Sequence, residues 1–196
     1  MSFRLGLTGG IGMGKTTTAA MFADRRVPVW DADAAVHRLY APGGAAVVPV
    51  GQLFPSALAA DGIDRAILKR LLAEDPSRLA DLEAVVHPLV TADRQQFIAA
   101  HPDAAVVLLD IPLLYETGAD RQMDGVAVAS APAAIQRARV LARPGMTEDT
   151  LALILSRQMP DAEKRARADW IIPTETLDGA RAAVDAILAE IRARHA

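Results

Sequence analysis

The chain has 196 residues, a net charge of −3 and no cysteine, with 52% hydrophobic residues of which few are aromatic. That much apolar surface can offset ordering entropy, so a disordered chain is excluded and the core must be built from aliphatic side chains. Lack of cysteine excludes disulfides and thiolate metal sites, and the acidic balance excludes a wholesale nucleic-acid binder, which needs a basic surplus to neutralise phosphates.

In chain order, the first apolar run, Phe3–Thr8, reads as a strand. It has no long apolar stretch ahead of small residues, so a secretory leader is not expected. A helical pattern over Lys15–Arg25 follows, then a strand at Val27–Asp31 and a helix at Ala32–Tyr40. Between Asp31 and Ala104 there is no strand candidate, only helices at Asp64–Glu74 and Ser77–Ala100. These are interrupted by Pro42-Gly43-Gly44, Asp61-Gly62 and Asp75-Pro76. Strands resume at Ala104–Asp110 and Gly125–Ala129. Helices at Ala133–Ala142 and Thr147–Gln158 flank a Pro-Gly tip at Arg143-Pro144-Gly145-Met146, and a strand at Asp169–Ile172 precedes a helix at Leu177–Arg194. Asp64 and Thr147 are suited to cap their helices, because their oxygens can accept from first-turn amides. The longest strongly apolar run, Ala104–Leu109, is far short of the ~20 residues a spanning helix needs. A soluble protein of the reducing cytoplasm is therefore expected, without a membrane partner.

Short apolar runs alternating with helices predict an α/β fold whose parallel sheet is buried on both faces. The strand-free stretch reads as a helical insertion, and the helical pair with its Pro-Gly tip as a mobile lid. The expected division is a nucleotide-binding core of residues 1–31, 104–136 and 159–196, an insertion of residues 32–103 and a lid of residues 137–158.

Gly9-Gly10-Ile11-Gly12-Met13-Gly14-Lys15-Thr16 satisfies G-x-x-x-x-G-K-[ST] between a strand and a helix, which makes the fold a P-loop NTPase type. Such a loop points successive amides at one anion, and the following helix adds its positive end. The candidate nucleotide-binding residues are Gly10, Ile11, Gly12, Met13, Gly14, Lys15, Thr16 and Thr17. Lys15 would hold the β- and γ-phosphates of ATP, and the Thr16 hydroxyl a Mg²⁺ ion. A bare glycine-rich turn would carry a large entropic cost for no ligand.

Asp110 closes an apolar strand, where open α/β sheets bind ligands, and is a second candidate for the metal; a helix cap is its bland alternative. Asp31 and Asp33 end the second strand. Asp31 suits a helix cap, which leaves Asp33 to accept the acceptor's proton. Arg137, Arg139 and Arg143 lie on the helix leading into the lid, with 139 and 143 on one face, where two guanidiniums could neutralise developing charge. The alternative for these is a solvated basic face. His37, His87, His101 and His195 lack metal-ligand spacing; His101 and His195 read as surface residues, and a lone histidine such as His87 is more often structural. An [NT]-K-x-D guanine-reading motif is lacking, which argues against a GTP-dependent switch. A nucleoside or shikimate-type kinase would not need the long insertion.

Taken in order, these segments resemble the bacterial dephospho-CoA kinase family over nearly the whole chain. They are Leu7–Gly12 with Gly14-Lys15-Thr16, Asp31-Ala32-Asp33, Asp61-Gly62-Ile63-Asp64-Arg65 and Leu82-Glu83 with His87-Pro88. Asp110-Ile111-Pro112-Leu113-Leu114-Tyr115-Glu116 follows, then Gln136, Arg139 and Arg143, Gln158, Lys164 and Ala168-Asp169. The resemblance implies transfer from ATP to the ribose 3′-hydroxyl of dephospho-coenzyme A, the final step of coenzyme A biosynthesis; a monomer and a small homo-oligomer are both open. It implies that the insertion binds coenzyme A and that Asp33 is the base, with Lys15, Arg139 and Arg143 beside it in catalysis. Arg65, His87, Pro112, Leu113, Leu114 and Glu116 would surround the acceptor. Two departures stand out: Met13 replaces a small polar loop residue, and Ile172-Pro173-Thr174 stands where many members have an Asp-Asn pair.

Overall fold

The computed structural model describes residues 2–194, and His195 lies outside them. The chain folds as two compact units: one ends at Trp30 and resumes at His101, and the other is Asp31–Ala100.

The first unit is built on a five-stranded sheet. Its strands are β1 (Phe3–Thr8), β2 (Val29–Asp31), β5 (Val106–Asp110), β6 (Gly125–Ser130) and β7 (Trp170–Pro173), in the order β2-β5-β1-β6-β7. β1 pairs in parallel with β5 on one side and β6 on the other, and β6 pairs in parallel with β7. Every residue of β5 and β6 is buried, as expected of central strands covered on both faces. Leu5, Leu7, Phe22, Leu108, Ile172, Val184, Leu188 and Ile191 form the middle of this core. They join the sheet to α1 (Lys15–Ala23) and α9 (Leu177–Arg194). The remaining helices are α6 (Ala133–Leu141), α7 (Glu148–Ser156) and α8 (Asp161–Arg167).

The second unit holds α2 (Ala32–Tyr40), α3 (Val47–Leu53), α4 (Arg65–Glu74) and α5 (Leu79–Ala99), around a core that includes Leu39, Val50, Phe54, Leu68, Leu82 and Val86. It also contains what the sequence pattern did not suggest, a short antiparallel hairpin of β3 (Leu58–Ala59) and β4 (Gly62–Ile63). Asp61-Gly62, read above as an interruption, is the last turn residue and the first residue of β4, and two-residue strands are too short to show an alternation. α3 was hidden for a different reason. It contains Pro49 and Gly51, both poor helix formers, and it is held by the burial of Val50 and Phe54. α8 carries charge at most positions and buries only Lys164, so it has no apolar period to read.

Caps follow the chemistry expected of them. Asp31 accepts from the Ala34 amide at 2.8 Å, Asp64 from Ala66 and Ile67, and Thr147 from Thr150. Among the described residues no helix is long and apolar enough to cross a membrane.

Candidate phosphate-binding site

β1 ends at Thr8 and α1 begins at Lys15, so residues 9–14 must turn the chain through a tight loop at the carboxyl edge of the central strand. Gly12 and Gly14 both take positive φ, 75° and 86°, which a residue with a Cβ adopts only under strain. At Gly12 there is also no room, because an added Cβ would lie 2.5 Å from the Val140 side chain and 3.1 Å from the Gln136 carbonyl oxygen on α6. Helix α6 therefore presses directly on the loop.

The loop is fastened from outside by side chains distant in sequence. The Thr174 hydroxyl, just past β7, donates to the Met13 carbonyl at 2.7 Å. Arg139 on α6 donates to the Thr174 carbonyl at 2.6 Å and reaches the Gly12 carbonyl at 3.5 Å. Gln136 donates to the Ile11 carbonyl at 2.8 Å, and the Ile11 amide donates to Gln158 at 3.0 Å. Met13 turns its side chain inward: it is 2% exposed, and its sulfur accepts from the Ala131 amide at 3.2 Å. The missing hydroxyl of this position is thus replaced by an apolar plug on the core side of the loop.

At the head of α1, the Lys15 ammonium lies 2.6 Å from the Asp110 carboxylate, which is nearly fully buried at the end of β5. Thr16 and Thr17 are exposed on the first turn of α1. Helix α1 has no acidic residue in that turn, and its N-cap is Gly14, without a side-chain cap, so its leading amides are not capped by a carboxylate or hydroxyl from that position. The result is an electropositive helix end and one lysine beside one buried carboxylate, an arrangement suited to polyphosphate. The oxygens of Thr16 and Asp110 are the hard donors Mg²⁺ takes, and two protein ligands are usual for an ion that keeps most of its waters. Among the described residues there is no cluster of three or more His, Cys, Asp or Glu residues that could hold a metal unaided.

The segment after Asp110 is anchored. The Thr8 hydroxyl donates to the Pro112 carbonyl at 2.9 Å, and Lys164 donates to the same oxygen at 3.3 Å. Lys164, with no exposed surface, also pairs with Glu116 at 2.9 Å, and Glu116 accepts from the Met159 amide at 2.8 Å. Burial pushes the Glu116 carboxyl up, but the bonds from Lys164 and Met159 outweigh it and hold the group below the usual carboxylate range. Leu114 is fully buried, within 3.1 Å of where a Cβ on Gly6 of β1 would stand, whereas Leu113 is 40% exposed. Of this pair, only the Leu113 side chain faces solvent.

The arginines thought to share one helix are separated. α6 stops at Leu141, because the Arg143 amide closes a tighter turn onto the Val140 carbonyl, and Arg143 stands exposed in the tip that follows. Arg137 pairs with Glu148 across the helical pair. In the helical unit, Asp33 is exposed on the first turn of α2, Arg65 is exposed 3.5 Å from the His37 ring, and His87 is exposed on α5. Sequence reasoning gave no role to Thr174, Gln136, Gln158 or Lys164. Nothing local to any of them signals a partner that lies 48 to 161 residues away.

The chain is similar to known proteins over nearly its whole length. A family model described as dephospho-CoA kinase matches residues 3–178. A dephospho-CoA kinase of Cereibacter sphaeroides is 60% identical over 190 residues, covering 97% of this chain and 96% of its own length. The crystal structure of TT1252 from Thermus thermophilus matches with a TM-score of 0.85 at 36% identity, over 96% of this chain and 97% of that one. Dephospho-CoA kinase from Campylobacter jejuni shares the fold, with a TM-score of 0.68 at 21% identity over 97% of each chain.

Proposed function

The chain belongs to the dephospho-CoA kinase family, and from that premise we propose how its residues carry phosphoryl transfer from ATP to dephospho-coenzyme A. The acceptor's ribose 3′-hydroxyl oxygen forms a bond to the γ-phosphorus as the bond to the β–γ bridging oxygen breaks. ADP departs and coenzyme A remains. Little covalent chemistry falls to the protein in such a transfer, so catalysis is positioning and charge stabilisation.

The observation that carries this reading is the loop between β1 and α1, with Lys15 at the helix head beside the buried Asp110. Amides of the loop and of the first turn of α1, at residues 14–17, bind the phosphates, and Lys15, exchanging its carboxylate partner for phosphate oxygens, stabilises charge on the leaving group. Thr16 and Asp110 would hold Mg²⁺, which when bound neutralises the β- and γ-oxygens. Asp33 accepts the hydroxyl proton. It is exposed on the first turn of α2, whereas its neighbour Asp31 is committed to capping that helix. Residues 32–103 take the acceptor, with Arg65 and His87 among its contacts, and residues 112–116 contribute the exposed Leu113 side chain. Residues 137–158 form the lid, from whose tip the exposed Arg143 meets the triphosphate. Arg139, held by the Thr174 carbonyl, acts nearer the loop.

The test couples ADP release to an added acceptor. Wild-type protein should release ADP from ATP only when dephospho-coenzyme A is present. Asp33→Ala should lower kcat by about 10²–10⁴-fold, the usual contribution of a positioned base, with ATP affinity within about twofold. Retained turnover would remove Asp33 from the role of base.

A further inference from the structure

One residue of the phosphate loop is held at both of its backbone polar groups by two glutamines from opposite ends of the helical pair. Gln136, buried on α6 ahead of the tip, donates its amide to the Ile11 carbonyl at 2.8 Å. Gln158, two residues beyond α7, accepts from the Ile11 amide at 3.0 Å. The intervening glycine makes the grip possible. A Cβ on Gly10 would stand 3.3 Å from the Gln136 nitrogen and 3.4 Å from the Gln158 oxygen, so any side chain there would crowd both. The adjoining residue, Gly12, is pressed by α6 itself.

We propose that Gln136 and Gln158 are positioning residues that lock the Ile11 peptide and so preorganise the loop for the nucleotide's phosphates, tying the loop to the two ends of the helical pair, Gln136 immediately before residues 137–158 and Gln158 at their close. The inference rests on the kinase reading given above, with those residues as its lid. A loop this rich in glycine has many conformations open to it, and each freedom left in the free protein must be lost when ATP binds. Fixing the carbonyl and the amide of one residue fixes the peptide planes on either side of it. The N–H groups further along, at residues 14–16, then face the anion without further rearrangement. Because one glutamine stands at each end of the helical pair, displacement of that pair moves the same loop residue from both sides.

The polarity of the two contacts differs, and that supplies the test. Position 136 must donate and position 158 must accept. Gln136→Glu replaces the donor by a carboxylate facing a carbonyl, whereas Gln158→Glu keeps an acceptor for the Ile11 amide. Both variants add the same charge beside the same loop residue, one at its carbonyl and one at its amide, so a difference between them reports hydrogen-bond direction. Affinity for a fluorescent ATP analogue, measured without acceptor, should fall about tenfold in Gln136→Glu and less than about threefold in Gln158→Glu, the scale of one lost hydrogen bond. The KM for dephospho-coenzyme A should stay within about twofold in both. Equal losses in the two variants, unchanged affinity in Gln136→Glu, or a loss confined to the acceptor's KM would overturn the proposal. If Gln136→Glu does not fold, Gln136→Met removes the donor without charge and carries the same tenfold expectation, and unchanged affinity in that variant overturns it equally. A wild-type chain that binds the analogue but releases no ADP on adding acceptor would sink the kinase reading while leaving the contrast intact. Loss of the contrast in a chain that still makes coenzyme A sinks this inference alone.

Discussion

Thr174 shows how much one hydroxyl can organise. It donates to the Met13 carbonyl, its own amide donates to Ser130 at the end of β6, and its carbonyl receives Arg139. Thr174→Val keeps the volume and removes the donor, leaving the Met13 carbonyl unpaired in a buried place. A loss of about 1–3 kcal/mol is expected, which in a chain of this size lowers the thermal midpoint by roughly 3–10 °C. Thr174→Ser retains the donor and should recover most of that loss in the same calorimetric comparison. Lys15→Ala should weaken both ATP binding and transfer, and an active variant would refute the loop assignment. These two residues also differ in how they could be found. Lys15 was legible because its partners in the motif are its immediate neighbours, and strand, glycines and helix are read from one short window. Thr174 looked like a mere departure from a family pattern. The carbonyl it serves is 161 residues away, and only the pairing of β1 with β6 and of β6 with β7 brings the two together.

At the scale of elements, α8 has one structural task that its charged sequence conceals. It delivers Lys164 to the segment after β5, where the ammonium has no exposed surface and meets Glu116 and the Pro112 carbonyl. The two partners are not equivalent, since the Glu116 side chain retains 18% exposure. Glu116→Leu strands a fully buried cation and should cost about 3–5 kcal/mol, or about 10 °C in thermal midpoint. Lys164→Met leaves a carboxylate that can reach water and the Met159 amide, and should cost less. The reverse order would refute the account. The Glu116 carboxyl is held below its ordinary value of 4.5, so its contribution is complete above that pH and is lost as pH falls through the depressed value. Glu116→Leu should therefore flatten the acid limb of stability against pH. Helices with an apolar stripe and a capping residue, such as α2 and α4, were legible to within a residue or two. The β3–β4 hairpin, α3 and α8 were not, because their positions are fixed by what packs against them rather than by any period of their own.

The whole molecule has two tyrosines, one in each unit, and both are held above the ordinary phenol value of 10. Burial is the main cause in each. For Tyr115 it prevails over the Arg167 guanidinium stacked 4.3 Å from the ring centre, and the value reaches about 12. The unfolded chain ionises first and loses protons that the folded state keeps, so stability falls as pH rises from 10 towards 12. Tyrosinate absorbance of the folded protein should stay low near pH 10, where the denatured chain is half ionised. A native titration centred at 10 would contradict the burial of both rings. The order of the strands carries a different consequence, for synthesis. β1 is made first yet sits in the middle of the sheet, and both of its neighbours come from beyond the excursion of Asp31–Ala100. The Thr8 hydroxyl at its end finds its acceptor 104 residues later. The helical unit, being continuous in sequence, can close while the ribosome is still working, but the strand that carries the phosphate loop must wait unpaired until more than half of the chain has emerged.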